Sequence, residues 1–356
     1  MKRGFAEATA TEVLVPSAER TDAPCKHYHE GCGGCRFQDL RYEAQVAAKE
    51  EQVADALRRI GGIAEPPLEP IVPAEEVFHY RNKLEYSFTQ TAAGPALGFH
   101  RAGRWDEVLD IEKCWLSSDL GNAVRNAVRD WARAERLEPY DQAEHTGYLR
   151  HLVLREGRNT GQLLVQLVTA AGERFDRDEF VEVLRRFPEV RSIHWAVNET
   201  PAEVTNLPTT LLWGDEAIEE LLCGLRFRLR PGAFLQTNTE MAEQLYSLAR
   251  DYAGLRGTEN VLDLYCGTGT IALSLARDAG AVWGLEISEE SVACAIENAE
   301  LNGIENARFF AGNVGQTLEE LVEDRPRRRP VRPTPRRAPP ASARRSRRRS
   351  ARSRSR

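Results

Sequence analysis

NVLDLYCGTGTIALSLARDAGAVWGLEISEESVACAIENAELNGIENARFFAGNV, residues 260–314, alternates apolar strand, glycine turn and helix. Apolar VLDL gives way at Gly267 and Gly269 to a helix through Ala279, then to a strand, AVWGLEI. A second helix runs from Glu289 to Asn302-Gly303, and ARFF forms a third strand. This order is a βαβαβ unit, which implies a parallel, doubly wound sheet. The glycines sit where strand becomes helix, so the backbone there can approach a ligand and the helix N-terminus offers free N–H groups. Glu286 ends the next strand, seventeen residues after Gly269, where a carboxylate can accept hydrogen bonds from ribose hydroxyls. An adenosine-type cofactor is implied. Gly267-x-Gly269-x-x-Ala272 also satisfies the dinucleotide fingerprint, which leaves S-adenosylmethionine and NAD both open. Asp263 within the motif strand and the lack of a third glycine favour S-adenosylmethionine.

Upstream the pattern differs. Residues 78–225 hold short strand-like runs such as KLEYSF, LVLRE and GQLLVQLV, with a helix around 119–136. This is an α+β pattern built partly on antiparallel strands. DLRYEAQVAAKEEQVADALRRIGG is predicted to be helical, with Leu40, Ala44, Ala47, Val53, Leu57 and Ile60 near one face and Gly61-Gly62 as its stop. Residues 1–24 read as a short strand and a linker. After Asn313, TLEELVED gives one more short helix. Residues 325–356 then hold fifteen arginines, no acid and almost nothing apolar, and are expected to be disordered. The units expected are thus 1–24, 25–225, 226–324 and 325–356.

The net charge of −6 over 356 residues conceals two regions. Without that tail, 33 basic residues face 54 acidic ones, a net of −21. An acidic body binds RNA only through a local basic face, so composition alone does not argue for RNA. No apolar run is long enough to span a bilayer and no signal peptide is legible, so a cytoplasmic location is expected. The seven cysteines are an odd number in a long chain, which disfavours a disulfide framework.

Three of them crowd into CKHYHEGCGGC, residues 25–35, spaced Cys25-x6-Cys32-x2-Cys35, with Cys114 far downstream in DIEKCWL. Four thiolates can hold zinc or a cubane cluster. Zinc ribbons usually present two close CxxC pairs and only one exists here. Three clustered ligands plus a distant one fit a [4Fe–4S] site better, with zinc and unligated cysteines as alternatives. His27 and His29 read as solvated loop residues. Cys223 reads as a buried strand position, Cys266 as packing and Cys294 as facing the sheet.

Taken together these motifs resemble the RNA uracil-C5 methyltransferases, specifically the iron–sulfur branch that modifies bacterial 23S ribosomal RNA. The resemblance runs from about Glu12 to Asn313. It rests on the CxxxxxxCGGC loop, FQDLRYEAQVAAK, YRNKLEYSF, GFHRAGRWDEVLDIEKC, GYLRHLVLR, RPGAFLQTN and VLDLYCGTGTIAL. It implies a partial Rossmann-like methyltransferase domain after an α+β iron–sulfur domain, with a remnant of an RNA-binding β-barrel before it. It also implies a [4Fe–4S] cluster on Cys25, Cys32, Cys35 and Cys114, and S-adenosylmethionine contacts from Gln236, Tyr265 and Glu286 beside Gly267 and Gly269. The implied partner is RNA, with 23S rRNA ahead of tRNA, and no membrane; a monomer is expected.

Chemistry in this family uses a thiolate that attacks uracil C6, so that C5 attacks the methyl sulfonium, and a base that then removes the C5 proton. The family draws the thiolate from an SCNP-type motif after a DPPR-type loop, and a later glutamate is the usual base. No cysteine follows Cys294, so no catalytic residue is assigned. The acid-free Arg/Pro/Ala/Ser tail has the composition of a GC-rich gene read out of frame, and a frameshift or truncation is expected. The first strand of the βαβαβ unit should therefore present an apolar edge. Two further readings stand: a catalytically silent RNA- or cofactor-binding protein, and, less favoured, an NAD-dependent oxidoreductase.

Overall fold

The structure, a computed structural model, describes residues 11–315. The TLEELVED helix and the arginine-rich segment lie outside the described residues, as do residues 1–10. Residues 11–24 form no strand; their one bridge joins Arg20 to Leu40. The cysteine loop holds a single helical turn, α1 (Lys26–His29), and α2 (Tyr42–Arg59) follows.

A seven-stranded sheet comes next. Its elements in chain order are β1 (Lys83–Thr91), β2 (Gly94–His100), β3 (Val108–Asp110), α3 (Asp119–Ala134), β4 (Leu149–Gly157), β5 (Gln162–Thr169), α4 (Arg177–Leu184), β6 (Val190–Val197) and β7 (Thr209–Gly214). The strand order is β3-β2-β1-β4-β5-β6-β7. All neighbours are antiparallel except β5 and β6, and that parallel pair is the one joined through a helix, α4. Alternation along β1 sends Leu84, Tyr86 and Phe88 into the core and leaves Lys83, Glu85, Ser87 and Thr89 on the other face. Under the apolar face lie α3 and α4. Trp131 of α3 packs 4.6 Å from Phe180 and edge-on to Phe175, each such buried ring contributing roughly 1.5–3 kcal/mol. Ser118 caps α3 by accepting from Gly121 N, and Asp176 caps α4 through Asp178 N and Glu179 N.

The hairpin β8 (Ile218–Leu222) and β9 (Leu225–Leu229) leads into α5 (Thr239–Ala253), which stops at Gly254 in the left-handed region. The βαβαβ unit then runs through β10 (Asn260–Leu264), α6 (Thr270–Ala276), β11 (Ala281–Glu286), α7 (Glu289–Leu301) and β12 (Ala307–Ala311). Its sheet is parallel, in the order β10-β11-β12. The α6 helix ends three residues short of the Ala279 predicted, with Asp278 and Ala279 turning back through hydrogen bonds to Leu275 O and Ala276 O. A second core joins the hairpin to this unit through Phe227, Leu229, Tyr246, Leu273, Val282, Val292 and Phe309, and Leu164 of β5 inserts into it. Among the described residues β10 is an edge strand, with Leu262 and Leu264 half exposed. None of the described helices is long and apolar enough to cross a membrane.

Candidate active site

Strand β10 delivers the chain into a turn whose backbone is repeatedly left-handed. Tyr265, Gly267 and Gly269 all have positive φ, at 69°, 55° and 81°. A Cβ on Gly269 would press on Ala295 and Phe309 at 3.1 Å, so the glycine lets α6 seat against α7 and β12. Above Gly267 the space is open, since a methyl added there would have no atom within 4 Å, and the Tyr265 side chain is 74% exposed beside it. Glu286 leaves the end of β11 and closes the cradle. Its Oε2 accepts from Gly267 N at 3.1 Å and its Oε1 from Ser288 N at 3.0 Å. A carboxylate has about four acceptor sites, so two remain for a ligand's hydroxyls. Asp263 is held beneath the turn, accepting from Ala272 N at 3.0 Å. Burial raises its pKa to about 6, and the charge of Glu286 adds to the rise.

The RPGAFLQTN loop, residues 230–238, lies against this turn. Thr268 Oγ1 donates to Phe234 O at 3.5 Å, and Asn82 Nδ2 donates to the backbone oxygen of Gln236 at 2.8 Å. The side chains of Phe234 and Gln236 are exposed. The five cofactor residues predicted from sequence are placed as follows: Tyr265, Gly267 and Gly269 in one turn, Glu286 at the end of β11 and bonded to it, and Gln236 in the loop docked to it. Next to the loop is a cavity of about 480 Å³ lined by Arg81, Lys83, Glu85, Arg155, Asn206 and the 232–235 backbone. Arg155 is fully buried, donates through Nη2 to Ala233 O, and has its pKa lowered to about 10 by burial. Its Nε and Nη1, and Nε of Arg81, find no acceptor. Sequence reasoning missed Arg155. The signal was a charge inside LVLRE, read there as an ordinary strand residue.

Cys25, Cys32, Cys35 and Cys114 line one small cavity walled by Phe99, Ile111, Trp115 and Leu116, although 79 residues separate Cys35 from Cys114. Burial pushes the Cys32 thiol up to about 11 and raises Cys35 and Cys114 as well. The positive charge of Arg81 opposes this at Cys35, and that of Arg125 opposes it at Cys114. Among the described residues no three His, Cys, Asp or Glu side chains form a group that could hold a metal ion. His27 corrects the sequence reading: it is buried, with Nδ1 2.8 Å from Glu30 Oε2 and Nε2 accepting from Glu112 N at 3.0 Å. Both ring nitrogens are thus engaged. His29 is exposed, as expected.

The other cysteines are packed. Cys266 is buried beside Gly284, its thiol pushed to about 12. Cys294 is buried on α7 with Arg230 Nη1 at 3.0 Å from its sulfur. Cys223 lies in the β8–β9 turn at φ 51°, where the sequence reading had put a buried strand position. A two-residue turn matched to strand twist requires positive φ there.

Residues 255–326 match the family described as a methyltransferase domain. An uncharacterized RNA methyltransferase of Bacteroides thetaiotaomicron is 38% identical over 338 residues, covering 90% of this chain and 74% of its own length. A second, from Caldanaerobacter subterraneus, is 37% identical over 90% of this chain and 72% of its own. The crystal structure of Pyrococcus abyssi tRNA (uracil-54, C5)-methyltransferase with S-adenosyl-L-homocysteine superposes with a TM-score of 0.69 at 26% identity, over 85% of this chain and 68% of that one. The glycine cradle, the docked loop and these likenesses agree: the chain belongs to the S-adenosylmethionine-dependent RNA methyltransferases, and its fold resembles that of a uracil-C5 enzyme.

Proposed function

We propose that this chain binds S-adenosylmethionine on Gln236, Tyr265, Gly267, Gly269 and Glu286 and presents a uridine of 23S ribosomal RNA to it at the Phe234 cavity. The supporting observation is the contact between Thr268 and Phe234 O, which ties the cofactor turn to the rim of a cavity holding buried, unpaired guanidinium N–H groups. When bound, S-adenosylmethionine supplies an electrophilic methyl group. Glu286 holds the ribose hydroxyls with its remaining lone pairs, and Tyr265 offers a ring face to the adenine. Arg155 and Arg81 donate to uracil carbonyls, which satisfies N–H groups that otherwise stay unmet. Phe234, exposed at the rim, stacks on the extruded base. None of Cys223, Cys266 and Cys294 is assigned the attack on uracil C6, because burial raises each thiol and none lines this cavity.

We further propose that Cys25, Cys32, Cys35 and Cys114 hold a [4Fe–4S] cluster. A polynuclear cluster takes ligands set farther apart than a single ion does, and the four cysteines line one small cavity. Arg81 and Arg125 stand where they balance the negative charge of four thiolates. The test is anaerobic purification with iron and sulfide analysis, together with transfer of labelled methyl to 23S rRNA and to tRNA transcripts. Iron and sulfide in equal amounts are expected, with any label confined to 23S rRNA. Zinc in place of iron would overturn the cluster, and label in tRNA alone would overturn the substrate. Tight S-adenosylmethionine binding with no label in either RNA would favour a catalytically silent binder.

A further inference from the structure

The polar face of the seven-stranded sheet leads away from the Phe234 cavity. Lys83, Glu85, Ser87 and Thr89 follow one another along β1 on this face, and the first three pair across β4 with Arg155, Val153 and His151. The loop of residues 198–208 crosses the face, giving Asn206 to the Phe234 cavity and Glu203 to a second one. From Lys83 to Thr89 the strand rises about 20 Å.

That second cavity, of about 320 Å³, is lined by Trp105, Tyr140, Gln142, Arg150, His100 and Glu203, among others. Its lining sets the Trp105 and Tyr140 rings among many polar side chains, Ser87, Thr89, Gln90 and Gln142 included. Trp105 is 66% exposed. The Arg150 guanidinium stacks 4.2 Å above the Tyr140 ring and is fixed by backbone carbonyls of Asn198, Thr200, Pro201 and Ala202. Arg150 is 3% exposed, yet its Nε has no acceptor. Opposite in character is Glu203, which accepts from Gln142 Nε2 at 3.0 Å and lies 3.3 Å from His100 Nε2. Asp106 and Asp141 also line it, so the site is unsuited to phosphate. A flat, neutral ring with an acceptor on one edge and an amine on another matches these groups. Unpaired nucleobases have that form, and aromatic stacking is how proteins hold them.

We propose that this cavity binds an unpaired, amino-bearing base of the substrate RNA, stacked on Trp105, with Arg150 Nε donating to the base and Glu203 accepting from its exocyclic amine. The base belongs to a nucleotide flanking the target uridine, since the two cavities are lined by successive stretches of β1, residues 83–85 and 87–90. This position rests on the target entering at Phe234.

The test uses the full chain and a single-stranded oligoadenylate with one central uridine, in which each position in turn is made abasic. Equilibrium titration of the wild type, Trp105→Ala and Phe234→Ala reads the coupling. One flanking abasic position is expected to weaken wild-type binding roughly tenfold, the contribution of one stacked base. Trp105→Ala should lose the same amount on intact RNA and become indifferent to that position. Coupling of Trp105 to the uridine position, or unchanged binding by Trp105→Ala, would overturn the proposal. If Phe234→Ala still loses binding at the abasic uridine as the wild type does, while Trp105 couples to a flank, the Phe234 reading fails and this one stands. Replacing the coupled adenosine by inosine should weaken the wild type and leave Glu203→Gln unaffected. Equal losses in both would refute the role of Glu203.

Discussion

Glu220 is fully buried in β8 and accepts four hydrogen bonds, from Asn159 N and Leu221 N on Oε1 and from Arg158 N and Thr239 Oγ1 on Oε2. Three of these donors belong to the β4–β5 turn and the first residue of α5, so one carboxylate fastens the seven-stranded sheet to the helices of the cofactor half. Glu220→Gln is almost the same size, yet the amide nitrogen cannot accept. Turned toward Arg158, it leaves that N–H unmet and forces the Thr239 hydroxyl to reorient. Turned the other way, it faces two backbone N–H groups. The cheaper orientation therefore orphans one buried donor and disturbs another, which costs about 2–3 kcal/mol. Glu220→Ala removes all four acceptances and should cost about twice as much. Denaturant unfolding of the two variants measures both values, and amide exchange at Arg158 and Asn159 should quicken in parallel. A Glu220→Gln chain within about 0.5 kcal/mol of wild type would refute the reasoning, since a loss that small lies below that of one orphaned donor.

Gly284→Ala should destabilise by about 1–3 kcal/mol, because the new methyl would sit 2.8 Å from Cys266 Sγ and closer still to the Phe309 ring. Adding Phe309→Leu should recover part of that loss, and strictly additive losses in chemical denaturation would exclude the clash. Asp263 has a folded pKa of about 6 against 3.8 for the free group, so its share of stability is fullest below pH 4 and is lost as pH rises through 6. Asp263→Asn never ionises and can keep the bond from Ala272 N; relative to wild type it should therefore gain about 3 kcal/mol between pH 4 and pH 7.5. A difference that stays constant across that range would show that burial does not control this carboxylate.

The parallel unit was legible because its signals are local. Gly267 and Gly269 mark a turn, VLDL and AVWGLEI are buried runs, and Asn302-Gly303 stops a helix. The four cysteines were legible by spacing, and the structure gathers them around one cavity. Other features depend on contacts that the sequence does not order. Helix α5 follows FLQTN without a strong apolar stripe, and its buried face is confined to Thr239, Ala242 and Tyr246. His27 resembled any loop histidine until Glu112, 85 residues away, placed its amide against the ring. Arg155 and Glu220 are charges inside strands. Their partners lie in the 231–233 backbone and in the β4–β5 turn, which no periodicity announces.

Two histidines sit in the strands of the large sheet where water is scarce. His151 and His194 are each at most 5% exposed, and burial lowers each pKa to about 4. A histidine kept neutral in this way supports the fold fully above its unfolded value of about 6.5 and withdraws that support as acid is added. Each withdraws about 3 kcal/mol by pH 4, a sum comparable to the whole stability of an ordinary domain. Acidification thus places a proton-driven strain on the middle of the sheet, which gives this chain a lower pH limit set by its scaffold and not by its chemistry.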